Sequence, residues 1–279
     1  MVQREAARHE GWRTVRAAAP AATRGPRHGR ITFLGHSTLL IEVDDLRILT
    51  DPMLREGVGP VRRQVERVLP ELFDQLDAVV LSHGHHDHMD QPSLRRIPGH
   101  PTVIVPRGFG ALAATWGLGP VEEVAPGDHL AIDRVHVTVT EAAHSGRREP
   151  FGPEGPALGF LVEGSRSVYF PGDTDLFDGM ADLEARDLDV ALLPVWGWGP
   201  NIGPGHMDPE RAAQAAAILR PRLAIPIHFG TFYPAGLRRV APKPFENPGP
   251  AFLEAMARHA PDVPVRLLAP GEAIELPAR

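Results

Sequence analysis

Residues 81–90, LSHGHHDHMD, place His83, His85, Asp87 and His88 within six positions of one another. Imidazole nitrogens and carboxylate oxygens at this density are ligands for zinc and similar divalent ions. Without an ion they would repel when protonated and would each need a partner when buried. One short loop cannot close around a metal, so further ligands must arrive from elsewhere. Three other segments end in suitable residues: VHVTVTEAAH at His144, SVYFPGD at Asp173 and LAIPIH at His228. Such a set points to hydrolysis by a metal-activated water, which needs no protein nucleophile. In agreement, the chain has no G-x-S-x-G segment and no phosphate loop of the Walker type. GFGALA at 108–113 mimics a dinucleotide fingerprint, but no acidic residue follows about 20 positions later in a second strand.

Other side chains near these segments have two readings each. Asp51, in LTDP, either receives the spare N–H of a metal-bound imidazole or ends a strand before Pro52. His36, in GHST, follows a strand end and either supports the same site or packs in the core. Trp196 and Trp198, on the glycine-rich loop VWGWGPNIGPG, either wall a pocket or cover the core. Arg147 and Arg148 follow His144 closely and suit the capture of a phosphate or carboxylate, with a solvated charge pair as the alternative.

The elements that must position these residues are short and mostly apolar. ITFLG, TLLIEVD and LRILTD read as a meander of strands. DAVVLS, TVIVP, VHVTVTEA, ALGFLVEG, RSVYFPG, DVALLPV, LAIPIH and AIEL read as further strands. Residues 55–68 read as a polar loop or short helix. Helices are expected in PSLRRI, in GFGALAATWG ending at Gly117, in DTDLFDGMADLEAR and in GPAFLEAMARH. One more is expected in DPERAAQAAAILR, with Asp208 as N-cap and Pro209 in the first turn. Strands dominate the opening and then alternate with helices, so the fold class is mixed α/β. Residues 1–29, rich in Arg and Ala and broken by Pro, read as a peripheral or poorly ordered arm, and residues 30–279 as a single domain.

The chain has 279 residues, no cysteine and a net charge of −6. Disulfides and thiolate metal sites are thereby excluded, and a nucleic-acid partner is not favoured. No run approaches the roughly 20 apolar residues that span a bilayer, and the N-terminus lacks a secretory apolar core. A cytoplasmic protein acting on a small molecule is expected; the oligomeric state is left open. With 28 glycines and 30 prolines, long shaped loops are expected, where sites are commonly built.

The histidine cluster resembles the H-x-H-x-D-H motif of the metallo-β-lactamase superfamily. FLGHSTLLIE, LTDP, LSHGHHDHMD, FPGDTD, GHMDPE and IHFGTF resemble the branch that holds N-acylphosphatidylethanolamine phospholipase D and the ascorbate-6-phosphate lactonases. The likeness runs over roughly residues 31–276. It implies a four-layer αββα sandwich of two mixed sheets and a centre of two divalent metals, zinc being expected and manganese or iron alternatives. Carried over, His83, His85 and His144 hold the first metal; Asp87, His88 and His228 hold the second; Asp173 bridges both. His86 is the variable position inside the motif and is expected to point away. His206, in GHMDPE, is expected at the pocket with a catalytic role beside Asp87. The implied reaction is attack by a metal-bridging hydroxide on a phosphodiester, a lactone or another ester, with an anionic substrate among the options. An iron-dependent dioxygenase or other redox enzyme on the same fold is the alternative. A non-catalytic scaffold is disfavoured by the complete ligand set.

Overall fold

In Thr38–Val43, Leu39, Ile41 and Val43 pack into one apolar cluster while Leu40 packs into another. Successive strand side chains point to opposite faces, so a strand buried at every position is covered on both. The same holds for Ala78–Val80, Thr102–Pro106 and Val190–Pro194. In the computed structural model, which describes residues 11–15, 29–66 and 73–276, these strands sit in two seven-stranded sheets. One runs Ala273–Glu275, Arg30–Gly35, Thr38–Val43, Leu46–Thr50, Ala78–Val80, Thr102–Pro106, Val121–Val124. The other runs Arg13–Val15, His129–Ile132, Val135–Glu141, Leu158–Glu163, Ser167–Phe170, Val190–Pro194, Ala224–Ile227.

The inner faces interlock: Ile31, Ile41 and Val80 of one sheet share a core with Val137, Phe160 and Leu192 of the other. Helices Pro209–Leu219 and Pro248–His259 cover the second sheet's outer face, packing Ala212, Ala216 and Phe252 against Leu161, Tyr169 and Leu193. Leu94 and Ala113, in the short helices Gln91–Leu94 and Gly110–Thr115, cover the first with Leu40, Val79 and Val103. The architecture is the αββα sandwich that the sequence implies.

Each sheet is mixed, and its parallel part aims at the site. Leu46–Thr50, Ala78–Val80 and Thr102–Pro106 run parallel, as do Ser167–Phe170, Val190–Pro194 and Ala224–Ile227. Their C-terminal ends therefore share an edge, the usual place for ligands in such sheets. Asp51, His83, Asp173, Trp196 and His228 all lie one to three residues beyond these strands.

Asp208 caps its helix as expected, accepting from the Arg211 N–H at 2.8 Å. Other expectations fail. DTDLFDGMADLEAR is not an α-helix: only Asp178–Arg186 winds, as 3-10 turns that bury Met180 and Leu183 three positions apart. It starts late because Asp175 is tied to Arg211 Nε and to the Leu176 N–H, and Gly179 weakens α propensity. Residues 55–68, of which 67 and 68 lie outside the described residues, hold a hairpin, Gly57–Val58 against Val61–Arg63, closed by Gly59 at φ 51° and Pro60. Phe232–Pro234 adds a third strand to it. Of the expected peripheral or poorly ordered arm, Arg13–Val15 is described and pairs parallel with His129–Ile132 as an outermost strand; residues 1–10 and 16–28 lie outside the described residues. Among the described residues no helix is long and apolar enough to cross a membrane.

Candidate metal centre

The motif loop leaves strand Ala78–Val80 and is fastened at once to the neighbouring strand's end. Asp51 Oδ1 accepts from the Ser82 N–H at 2.7 Å, and Asp51 Oδ2 accepts from Ser82 Oγ at 2.5 Å and from His88 Nδ1 at 2.7 Å. The carboxylate is fully buried, on backbone held at φ 33°, so the strain of this turn is spent on aiming a carboxylate at an imidazole. Since Ser82 Oγ gives its proton to Asp51, it accepts from His83 Nδ1 at 2.9 Å.

The same logic fixes the other rings. His144 Nδ1 donates to the Gly205 carbonyl at 2.8 Å, and His228 Nδ1 to the Trp196 carbonyl at 2.9 Å. Gly205 has φ +73°, and a Cβ there would come within 2.9 Å of His144 Nδ1, so glycine permits that approach. With Nδ1 protonated on His83, His88, His144 and His228, each ring turns the lone pair of Nε2 inward.

These lone pairs converge. His83 Nε2 is 2.9 Å from His85 Nδ1, which is 3.2 Å from His144 Nε2. His88 Nε2 is 3.2 Å from His228 Nε2, and both lie close to Asp173 Oδ2, at 3.1 and 3.2 Å. Asp87 Oδ2 approaches His88 Nε2 at 3.5 Å and His228 Nε2 at 3.9 Å. Asp173 Oδ1 is buried with no hydrogen-bond partner. Facing acceptor nitrogens and an orphaned carboxylate oxygen are unfavourable as they stand. They are what a cation needs: at metal–nitrogen distances of about 2.0–2.1 Å, neighbouring ligands of a tetrahedral ion lie about 3.3 Å apart. The donor set, imidazole and carboxylate with no sulfur, fits a divalent ion of the zinc or manganese kind.

The field is uneven. Burial drives the pKa of His83 well below the ordinary histidine range, with His88 adding to it, and burial brings His144 down to about 4. Burial also lowers His85. Burial would raise Asp173, but His228 and His88 outweigh it and hold the carboxyl well below the usual carboxylate range; for Asp87, His88 does the same. Burial opposes charge on His88, yet Asp173, Asp87 and Asp51 hold its pKa well above normal. Without a metal, a second proton on His88 thus answers the two ionised carboxylates, and a bound cation would displace it.

His36 and His206 flank this set. His36 is buried at φ 58°, its Nε2 donates to Asp87 Oδ2 at 2.9 Å, and its carbonyl accepts from the His228 N–H. It therefore ties together two of the converging groups. His206 Nδ1 faces the carbonyls of Gly203 and Pro204, each at 3.2 Å, and its Nε2 lies 3.3 Å from Asp173 Oδ2. Burial resists a charge on His206, but the bond to Asp173 raises its pKa overall.

A cavity of about 680 Å³ opens over the cluster, lined at its floor by His85, Asp87, Asp173, His206 and His228. Trp198 stands in its wall, 40% exposed. Trp196 does not: its indole N–H donates to the Gly199 carbonyl, and its backbone, not its ring, reaches the site. The two arginines expected at the substrate do not line the cavity either. Arg148 donates to the carbonyls of Gly84 and Met89, faces His86 Nδ1 and lies over the Trp116 ring, so it struts the motif loop from behind. Arg147 pairs with Glu149 at the surface. His86 does reach the cavity rim, with its Nε2 donating to the Glu149 carbonyl. Ser82, the carbonyls of Trp196 and Gly205, and the wall residues Val61, Ile202 and Phe232 escape a reading by residue type. Only the position of Ser82, next to the first motif histidine, could have marked it.

A family profile described as the beta-lactamase superfamily domain matches residues 46–229. A UPF0173 metal-dependent hydrolase of Opitutus terrae is 32% identical over 253 residues, spanning 88% of this chain and 100% of its own. N-acyl-phosphatidylethanolamine-hydrolyzing phospholipase D 1 of Caenorhabditis elegans is 30% identical over 235 residues, 74% of this chain and 64% of its own. Among solved structures, a metallo hydrolase of the archaeon Ignicoccus hospitalis superposes with a TM-score of 0.66 at 23% identity, over 88% of this chain and 97% of its own. That last likeness is one of fold.

Proposed function

The chain belongs to the beta-lactamase superfamily, and from that premise we propose that it is a hydrolase dependent on two divalent metal ions, zinc being the first choice, acting on a phosphodiester, a lactone or another ester of a small molecule. The observation that carries this reading is the convergence of Nε2 lone pairs from His83, His88, His144 and His228 around Asp173, whose Oδ1 has no partner. His83, His85 and His144 would hold one ion, Asp87, His88 and His228 the other, with Asp173 between them. Bound there, such ions supply an activated water and a Lewis acid for the oxygen on which charge builds.

The chain's own groups do the rest. Asp51 and the carbonyls of Trp196 and Gly205 keep the Nε2 lone pairs inward. His36 fixes the Asp87 carboxylate, which faces the cavity and would orient an activated water there. His206 holds a proton at Nε2 on the cavity floor and delivers it to the leaving oxygen, a contribution of typically 10²–10⁴-fold. The carboxylates Asp87 and Asp173 lend no proton, because both stay ionised at neutral pH. The relatives named metal-dependent hydrolases support the reaction class. The N-acyl-phosphatidylethanolamine-hydrolyzing relative supports a phosphodiester or ester as the bond broken. Purified protein loaded with zinc or manganese should hydrolyse 4-nitrophenyl phosphodiesters, 4-nitrophenyl esters or simple lactones, and a chelator should stop it. Asp87→Ala should fold and lose turnover. Failure on every class under both metals removes the reading.

A further inference from the structure

Above its floor of histidines and aspartates the cavity changes character. Its walls are Met53, Val58, Val61, Trp198, Ile202 and Phe232. They arrive from three places: Met53 after strand Leu46–Thr50, the hairpin and third strand with Val58, Val61 and Phe232, and the loop carrying Trp198 and Ile202. Met53, Val61 and Phe232 pack on one another as a small buried cluster of their own, so this wall is formed before any ligand arrives. Among the described residues, no lysine or arginine lines the cavity. The nearby guanidinium groups are spent elsewhere: Arg63 lies over the Phe232 ring and donates to the carbonyls of Met53 and Arg55, and Arg62 donates to those of Gly59 and Val61. On the rim, the Glu149 carboxylate is paired with the exposed Arg147 at 3.6 Å, outside the lining.

We infer that the group the substrate carries beside the bond to be broken is uncharged and apolar, an alkyl or aryl group seated against Val61, Ile202, Phe232 and Trp198. This rests on the hydrolase reading above and narrows it. An anion at the reacting centre would be met by His206 and by the cations that the His/Asp cluster would hold. A second anion on the tail, such as a phosphate monoester or a carboxylate, would be desolvated against hydrocarbon with no lysine or arginine in the lining to meet it, which is costly. An apolar tail gains from the same walls in proportion to the area it buries. At about 680 Å³, the cavity lies in the range that encloses most of a drug-sized molecule. The substrate is therefore expected to have one charged or polar end, not two.

The test is calorimetric binding of four phosphonates to the metal-loaded protein: methyl-, phenyl-, hexyl- and 2-carboxyethylphosphonate. Turnover of 4-nitrophenyl phosphodiesters and carboxylic esters bearing the same four groups is measured in parallel. Phenyl- and hexylphosphonate should bind at least about tenfold tighter than methylphosphonate, and the carboxyethyl compound no tighter than methyl. Ile202→Lys should abolish the apolar gain and favour the carboxyethyl compound. Trp198→Ala, at a half-exposed position, should weaken phenylphosphonate binding several-fold without loss of folding. Equal affinities across the series, or tightest binding of the carboxyethyl compound, overturn the inference. Tail-dependent binding without turnover of any compound leaves the pocket assignment standing and removes the hydrolase reading. Turnover indifferent to the tail does the reverse, and no binding at all removes both.

Discussion

Asp51→Asn exchanges one atom for another of nearly the same size, yet three donors point at this carboxylate: the Ser82 N–H, the Ser82 hydroxyl and His88 Nδ1–H. The asparagine oxygen can keep the Ser82 N–H. Its amide nitrogen then stands where Oδ2 was, donor facing donor. Relief requires Ser82 to turn its hydroxyl, which reverses the bond to His83, and His88 to move its proton from Nδ1 to Nε2. That proton would point at His228 Nε2 and Asp173 Oδ2 and remove a lone pair from the centre. Groups that orient metal ligands in this way are worth about 10–100-fold in metal affinity. The upper end applies here because two imidazoles depend on Asp51. A buried donor left unsatisfied costs about 1–3 kcal/mol, so the metal-free variant should also melt several degrees lower, at roughly 2–4 °C per kcal/mol for a chain of this size. The assay is competition for zinc against a chelator of known affinity, with a thermal melt of the metal-free protein. Asp77→Asn is the control, since Asp77 is buried, accepts from the Arg47 N–H and lies just before strand Ala78–Val80, at the opposite end from His83. It should lower the melting temperature and leave zinc affinity unchanged. Equal zinc affinity in wild type and Asp51→Asn would refute the lone-pair argument.

His206→Gln keeps a donor of similar reach but no transferable proton; kcat should fall about 100-fold with KM little changed, and an equal effect on a substrate with an excellent leaving group would contradict proton delivery. Burial and His228 push His36 down to about pKa 3, against about 6.5 in an unfolded chain. Between these values the unfolded chain takes up a proton that the folded chain refuses. Stability therefore falls as pH falls, by up to about 1.4 kcal/mol per pH unit from this group. His36→Asn should flatten the melting-temperature slope of the metal-free protein between pH 6 and pH 4, as read by calorimetry at a series of pH values. Arg148→Ala should lower the melting temperature through loss of its bonds to Gly84 and Met89 and leave KM unchanged. A large rise in KM would return Arg148 to the substrate.

The fold and the converging donors were readable for one physical reason. Strands covered on both faces read as uninterrupted apolar runs, so DAVVLS, SVYFPG and LAIPIH announce both themselves and the edge at which His83, Asp173 and His228 emerge. The same principle hides what it does not cover. Val121–Val124 (VEEV) and His129–Ile132 lie toward sheet edges with part of their surface open, and their mixed composition gave no strand signal. The hairpin at 57–63 was obscured by its arginines, although Gly59-Pro60 between two valines was a turn in plain view. Arg148 misled because residue type says what a guanidinium prefers, while the course of the loop after His144 decides which carbonyls it meets. Trp196 and Trp198 are two positions apart on one loop, and only the backbone path sends one ring to the cavity and the other away.

The central claim is that the His/Asp cluster holds two metal ions with Asp173 between them. Zinc titration of metal-free protein, followed by calorimetry and checked by elemental analysis after desalting, tests it most directly. Wild type should bind two equivalents, and Asp173→Ala should retain no more than one tightly. Two tightly bound ions in Asp173→Ala, or none in wild type, would contradict the account.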